Sequence, residues 1–377
     1  MTGHIAFFGH NPKDAAVRRR AQAFRKAGLD VTGFMPRRGP PVPAPWPLID
    51  LGRTDDNAYL QRIASILSGT RRAARHADIL RNCDVLYARN LDMLAIAARV
   101  RSKLEIKVPL VYECLDIHHR LSGDSRSARL FRKLEGRLLA QTDLVVVSSP
   151  RFETEHFTRY FPGKYRHMLI ENRLIDDPAL PPRPVRPPPN PAAPLRIGWF
   201  GNLRCRASFN LLNGLVRRFP GQVQVSLRGY PASSVFPDLA AEISGLPGIT
   251  YHGPYHAPDD LAGIYSDVDL IWACDWYERG ANSLWLLPNR IYEGGYFTTP
   301  ALVAAGTETA RWVSAHGSGI VLEDPLDASL EKHIEAILSD RSALAALFDR
   351  VAQVPRNAFV EQPTTTHDML SQLHIKS

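Results

Sequence analysis

The stretch Leu287-Pro288-Asn289-Arg290-Ile291-Tyr292-Glu293-Gly294-Gly295-Tyr296-Phe297-Thr298-Thr299-Pro300-Ala301-Leu302-Val303 packs a helix start, a helix stop and a buried strand into one short run. Proline is tolerated in the first turn of a helix, so a helix opens at Pro288, and Gly294-Gly295 followed by Pro300 limits it. Ala301-Leu302-Val303-Ala304 then reads as a short buried strand. Arg290 and Glu293 are three apart and share one helix face. At a helix N-terminus, unpaired N–H groups and the dipole attract phosphate. A guanidinium there neutralises a diphosphate, and a carboxylate accepts both hydroxyls of a ribose. The pattern suits a nucleotide-sugar, and it equally describes a surface Arg–Glu pair before a turn.

Around this stretch, strand and helix signals alternate along the whole chain. Ile5-Ala6-Phe7-Phe8, Val31-Thr32-Gly33-Phe34, 84–88, 109–113 and 143–147 read as strands, with a helix over 15–27. Prolines crowd 175–194, which reads as a stiff extended linker. The alternation then restarts at 195–201, 223–229, 249–253 and 268–272. Strands separated by helices imply parallel sheets covered on both faces. The expected division is an N-terminal domain 1–174, the linker 175–194, a C-terminal domain 195–359, and a final helix near 360–377 that packs back on the first domain. Two doubly wound domains place a ligand at the carboxyl ends of their strands.

The length of 377 residues and a hydrophobic content of 45% allow two full cores. Cys83, Cys114, Cys205 and Cys274 are scattered without C-x-x-C or metal-ligand spacing, which favours reduced, buried thiols. The apolar start is broken by His10-Asn11-Pro12 and reads as a first strand, not a signal peptide. No apolar run reaches the length of a membrane span. The net charge of +8 is concentrated in basic clusters of the first half, Arg18-Arg19-Arg20, Arg37-Arg38, Arg71-Arg72 and 126–137. In the last of these, Leu130, Phe131, Leu134 and Leu138 recur at helical spacing among Arg126, Arg129, Arg132, Lys133 and Arg137. A basic amphipathic helix suits anionic lipid, and a solvated surface helix has the same pattern. Nucleic acid is disfavoured, because aromatics do not interleave with these clusters.

Pro288-Asn289-Arg290-x-x-Glu293 followed by Pro300-Ala301-Leu302-Val303 resembles the "P-x-K/R-x-x-E … G-x-P-x-V" segment of bacterial GT-B glycosyltransferases of the family-4 type. With Tyr87-Ala88-Arg89-Asn90 and Leu115-Asp116-Ile117-His118, the chain looks closest to exopolysaccharide transferases of the succinoglycan-biosynthesis type. The resemblance implies the GT-B fold, two Rossmann-like domains facing a central cleft. It also implies that Glu293 holds the nucleotide ribose and that the Gly201-Asn202-Leu203-Arg204 loop, with Arg206, contacts the donor diphosphate. Many relatives carry a second glutamate eight residues before the first; here that position is Trp285, which tilts the expectation towards inversion of configuration.

Each candidate also has a plain structural reading. Gly201 and Asn202 follow a strand, where glycine lets the backbone approach a phosphate; the same residues describe an ordinary strand–helix turn. Asp116 and His118 follow a core strand, and an inverting transfer needs one base for the acceptor hydroxyl; Asp116 as a helix cap and His118 as a packed ring fit equally. Arg89 with Asn90 ends another strand, placed either to hold an acceptor diphosphate or to tie the loop down from within. Gly9, His10 and Asn11 end the first strand on the acceptor side, or form a simple turn. Asp275, Trp276 and Asn282 are weaker candidates for sugar contacts. Asp267-Val268-Asp269 spells D-x-D, but at the start of a strand it reads as structural. Thr307 reads as a helix N-cap.

The expected activity is transfer of a sugar from a nucleotide donor, a UDP-sugar, to a lipid-linked saccharide. The expectation includes no cofactor or metal, and a place at the cytoplasmic face of the inner membrane. A UDP-N-acetylhexosamine epimerase on the same fold and a non-catalytic sugar-nucleotide-binding component of an assembly complex are the other readings.

Overall fold

A computed structural model describes residues 3–37, 39–41, 43–54, 59–117, 121, 123, 125–278 and 280–375, with backbone only for 59–62. The chain gathers into two units, one of Met1–Ile175 with Glu361–Ser377, the other of Asp176–Val360.

The first unit runs β1 (His4–Phe8), α1 (Ala15–Lys26), β2 (Asp30–Arg37), β3 (Leu48–Arg53), α2 (Tyr59–Ala74), α3 (Ala77–Arg81), β4 (Val85–Arg89), α4 (Leu91–Lys103), β5 (Leu110–Cys114), α5 (Arg126–Leu139), β6 (Leu144–Val147), α6 (Pro150–Phe152) and β7 (His167–Leu169). A π-helical turn, Glu153–Thr158, continues α6. The seven strands form one sheet in the order β3-β2-β1-β4-β5-β6-β7. All its pairings are parallel. β4, β5 and β6 are buried at every position, as expected of central strands covered on both faces. Asp14 caps α1 through Oδ1, which accepts from the Ala16 and Val17 N–H groups at 3.0 Å each. Phe7, Phe24 and Tyr87 pack edge-to-face in the core between β1, α1 and β4.

The second unit continues with β9 (Leu195–Leu203), α7 (Arg206–Arg218), β10 (Val223–Pro231), α8 (Leu239–Ile243), β11 (Ile249–Tyr251), α9 (Leu261–Ser266), β12 (Leu270–Trp272), α10 (Asn282–Trp285), α11 (Asn289–Tyr296), β13 (Ala301–Ala304), α12 (Glu308–His316), β14 (Gly319–Leu322), α13 (Leu326–Ser339) and α14 (Ser342–Gln353). A two-residue β8 (Leu174–Ile175) precedes it. Its sheet order, β11-β10-β9-β12-β13-β14, reverses direction from β9, the doubly wound arrangement. The chain is therefore an α/β protein of two parallel doubly wound sheets. The proline-rich run expected as a linker is fastened to the second unit. Arg183 donates to the carbonyls of Val354 at 2.7 Å and Val351 at 2.8 Å, and Arg186 to that of Tyr265 at 2.5 Å.

Two local expectations change. Gly294 and Gly295 lie inside α11 instead of ending it. A Cβ on Gly295 would come within 2.1 Å of the Phe359 ring, so glycine there admits the ring against the helix. The strand expected to stop at Gly201 runs on to Leu203, with Gly201 at φ +104°.

After its second passage into the first unit the chain forms α15 (Thr364–Gln372), whose Met369 and Leu370 join the Phe7 core. Beside that core lies a buried ion knot. Glu113, fully buried on β5, accepts from Arg89 Nε at 2.7 Å and Nη2 at 2.8 Å, and from Arg20 Nε at 3.1 Å. Arg20 Nη1 also donates to both oxygens of Glu361, at 2.9 and 3.1 Å. Burial by itself raises a carboxyl's pKa, but the Arg89 and Arg20 charges outweigh it and hold Glu113 at about 2. Glu361 moves the other way, since burial outweighs the Arg20 charge and the Glu113 charge adds to the rise.

Glu113→Ala, which strands the buried Arg89 guanidinium and leaves Arg20 with Glu361 alone, should cost about 3–5 kcal/mol in denaturant unfolding. The contribution of Glu113 is in place above its ordinary 4.5 and is lost as pH falls from 4.5 towards 2. That of Glu361 has the opposite sign, present below 4.5 and lost as pH rises through its raised folded value. Unfolding free energies measured across this range should fall steeply towards pH 2 in the wild type and more gently in Glu113→Ala.

Candidate functional site

In the second unit the decisive stretch forms α11 as a helix whose N-cap is Pro288, which brings no side-chain acceptor to the first turn. The surface ion pair that the spacing allowed does not form. Arg290 and Glu293 are only 8% and 2% exposed, and each is positioned by another element. Arg290 Nη1 donates to the Phe200 carbonyl of β9 at 2.9 Å, while its Nε is buried with no hydrogen-bond partner among the described residues. Glu293 Oε2 accepts from the Tyr265 hydroxyl of α9 at 2.8 Å. Tyr265 is itself fixed, its ring edge-on to Phe200 at 5.2 Å and stacked on Phe297 at 5.9 Å. Burial, and then the Glu293 charge, push its hydroxyl well above the usual phenol range, so it remains a donor. Asn289 opens the same helix, half-buried.

Gly201 and Asn202 sit at the carboxyl end of β9 beside Gly229 and Tyr230 of β10. A Cβ on Gly229, at φ +124°, would meet the Gly201 carbonyl oxygen at 1.9 Å, so only glycine lets these strand ends approach. Open space surrounds the position of a Cβ on Gly201. Arg204 lies past this end, donating to Asp275 Oδ2 at 2.9 and 3.1 Å with Tyr277 under its guanidinium at 5.1 Å. Arg206 does not join it. On α7 it pairs with Glu242 and lies over the Phe236 ring at 4.2 Å, because a carboxylate and an aromatic face draw it to the α8 side. The structure thus holds Arg204 and Arg206, both expected at the donor phosphate, on different carboxylates.

Asp269 accepts from the Arg196 N–H at 2.8 Å and serves the sheet. Thr307 caps α12, accepting from the Ala310 N–H at 3.0 Å. Trp285 is buried on α10. A separate cavity of about 340 Å³ borders Phe200, Arg228, His252 and Asp267 along β10, β11 and α9. Glu293 does not line it.

In the first unit the loops after β1 and β4 meet, since these strands are neighbours. His10 Nδ1 lies 3.3 Å from Asn90 Nδ2, and His10 Nε2 lies 3.6 Å from Asp14 Oδ2. Asp14, which the sequence reading missed as a partner, titrates low: burial opposes this, but the His10 ring and then Arg89 outweigh it. Asn90 adopts φ +74° to start α4. Asn11 Oδ1 accepts from the Lys13 N–H at 3.1 Å, and Gly9 is buried against Met35. Arg89 is fully buried with Nε and Nη2 committed to Glu113, the arrangement of an arginine that ties its loop down from within, the second of its two expected roles. Asp116 is exposed on the loop after β5, one strand over from Asn90. His118 lies outside the described residues.

The chemistry divides by unit. The second presents a buried Arg–Glu–Tyr set beside a glycine-lined strand end, suited to a nucleoside diphosphate. The first presents His10, Asp14, Asn90 and Asp116 at strand ends, suited to hydroxyl groups and proton transfer.

The chain is similar to known proteins in sequence and in fold. Residues 14–173 match the model of a glycosyl transferase 4-like domain. The chain is 37% identical to the succinoglycan biosynthesis protein ExoL of Rhizobium meliloti (strain 1021), over 98% of this chain and 93% of that one. Among solved structures it is similar to a sucrose-phosphate synthase from Thermosynechococcus elongatus (TM-score 0.74, 16% identity, 99% of both chains). It is also similar to Anabaena Alr3699/HepE in complex with UDP-glucose (TM-score 0.69, 16% identity, 98% of both chains).

Tyr265→Phe should leave a buried Glu293 oxygen short of its donor and cost about 1–3 kcal/mol in denaturant unfolding. An unchanged midpoint would mean that the hydroxyl does not hold the carboxylate.

Proposed function

We propose, for a chain that belongs to the GT-B glycosyltransferases of the ExoL family, that the sugar donor is a UDP-sugar and the acceptor a polyprenyl-diphosphate-linked saccharide of exopolysaccharide biosynthesis. The observation that carries this reading is the buried pair Arg290 and Glu293 on α11, held by the Phe200 carbonyl and the Tyr265 hydroxyl. A carboxylate oriented by the Tyr265 hydroxyl is of the chemistry that accepts from ribose hydroxyls. A guanidinium with an unpartnered buried Nε beside a helix N-terminus favours anionic phosphate. The UDP and UDP-glucose complexes of the HepE structure support a uridine donor.

In the proposed reaction, the acceptor hydroxyl oxygen attacks the anomeric carbon of the donor. The bond to the diphosphate breaks, and UDP leaves with the electron pair. Arg290, the first turn of α11 and Arg204 stabilise the charge that develops on the leaving group. Arg204 exchanges Asp275 for phosphate oxygens as the donor binds. Asp116 takes the hydroxyl proton and the anomeric configuration inverts. His10 and Asn90, with Asp14 behind the imidazole, orient acceptor hydroxyls, and Gly201 and Asn202 line the donor approach. No metal is assigned a role. The lipid-linked acceptor places the reaction at the cytoplasmic face of the inner membrane; among the described residues no helix is long and apolar enough to cross a membrane.

The deciding experiment compares thermal stabilisation by UDP, GDP, ADP and dTDP. UDP at a hundredfold excess over its dissociation constant should add about 2.7 kcal/mol, and Glu293→Ala should abolish the gain. Stabilisation by none of the four, or an undiminished shift in Glu293→Ala, overturns the donor assignment. Asp116→Ala should keep the UDP shift while lowering the rate of radiolabel transfer from UDP-sugar to membrane extract by about 10²-fold or more. Full transfer by that variant removes Asp116 as the base.

A further inference from the structure

We infer that the outward face of α5 is a docking surface for an anionic lipid bilayer. This rests on the reading that the acceptor is lipid-linked, and adds the element through which the protein meets the membrane.

By its spacing, α5 should hide Leu130, Phe131, Leu134 and Leu138 and turn its cations outward. The structure sets it at a different rotation. Ala128, Arg132, Glu135, Leu138 and Leu139 are buried, whereas Leu130 and Leu134 are 63% and 44% exposed. The inward contacts explain why. Glu135 pairs with His156 Nε2 at 2.8 Å, both side chains fully buried, and accepts from the Tyr112 hydroxyl at 3.4 Å. The Arg132 guanidinium donates to the carbonyls of Leu121 at 2.8 Å and Gly123 at 2.6 Å, and lies 4.1 Å over the Tyr160 ring. Rolling the helix to bury the two leucines would pull a buried carboxylate and a buried guanidinium off these partners. Such a loss outweighs what two leucines gain from leaving water. The exposed leucines are thus locked outward.

The outward face reads Arg126, Arg129, Leu130, Lys133, Leu134 and Arg137, all exposed and at intervals of one, three and four residues. Glu135, the carboxylate of this helix, points inward, so four cations frame two leucines. A bilayer interface satisfies both kinds of group, acyl chains receiving the leucines while lipid phosphates meet the guanidinium and ammonium groups. A nucleic acid would pair the cations and leave the leucines in water.

The test is co-sedimentation of the full chain with phosphatidylcholine vesicles, with and without phosphatidylglycerol, in the absence of donor and acceptor. Binding should require phosphatidylglycerol and weaken as salt rises. Arg129→Glu with Lys133→Glu should weaken it by about tenfold or more. Leu130→Ser with Leu134→Ser should weaken it at constant charge. Arg217→Glu with Arg218→Glu, the same charge change on α7, should leave it nearly intact. Each variant's melting temperature and UDP shift report whether its fold and donor site persist. Failure to bind phosphatidylglycerol vesicles overturns the proposal, as does equal loss in the α7 variant. Binding that ignores the leucine substitutions and follows charge alone marks a general polyanion surface and overturns the lipid assignment. Because no nucleotide enters the assay, these outcomes are independent of the donor reading.

Discussion

The arrangement of the first unit depends on a single buried carboxylate. Glu113 sits at the end of the central strand β5 and binds Arg89 of β4 and Arg20 of α1, and through Arg20 it is linked to Glu361 where the chain re-enters the unit. Two guanidinium groups and two carboxylates balance in charge, which is what makes their burial tolerable, since an unpaired ion would cost several kcal/mol to desolvate. The low titration of Glu113 and the raised titration of Glu361 express one asymmetry: Glu113 has two cations against it and Glu361 shares one. The knot specifies register as well as stability. It can close only when β4 and β5 pair with Arg89 opposite Glu113, and that register sets Asn90 and Asp116 on neighbouring loops.

The second unit solves the equivalent problem without a charge knot. Arg290 and Glu293 lie one turn apart on α11 yet are never each other's partner. One takes a backbone carbonyl of β9, the other a tyrosine hydroxyl of α9. Contacts to two other elements, and not to each other, therefore set how the two side chains are oriented. Gly294 and Gly295 serve the same end, because close approach of Ile271 and Phe359 to the helix fixes where its polar face points.

Much of this was legible in the sequence. Runs such as Asp143-Leu144-Val145-Val146-Val147 are strands because continuous apolar residues between helices suit only a covered parallel sheet. The strands without a clear signal include β3, β7 and β14, which are less buried: β3 carries Asp50 and Arg53, β7 is exposed at both ends, and β14 is half-exposed along most of its length. The motif from Pro288 to Glu293 identified the helix, but spacing alone could not tell a surface pair from a buried one. That distinction is set by Tyr265 and Phe200, far away in sequence. Arg89 illustrates the same limit. Its place at a strand end suggested a ligand-facing group, while the deciding partner, Glu113, lay in the next strand of the sheet. Asp14 went unnoticed because an N-cap aspartate has an ordinary explanation, and its closeness to His10 follows from the turn of the chain between them.

The rotation of α5 shows how tertiary chemistry overrides an amphipathic pattern. Hydrophobic periodicity assigns leucines inward by default, because each gains roughly 2 kcal/mol when buried. That default assumes an apolar surface beneath the helix. Here the surface beneath is Tyr112, His156 and Tyr160, which offers hydrogen bonds and a ring face. The π-helical turn that contains His156 helps form it, since an extra residue per turn re-aims side chains that a regular helix would point elsewhere. Over such a floor, an arginine and a glutamate are the better inward residues, and the helix settles with them down and its leucines up. An exposed apolar pair held in place by buried ion contacts differs from one left over by loose packing. It persists in every folded molecule at the full cost of its hydration, and beside the four cations of the same face that cost is recovered where apolar chains and phosphates occur together.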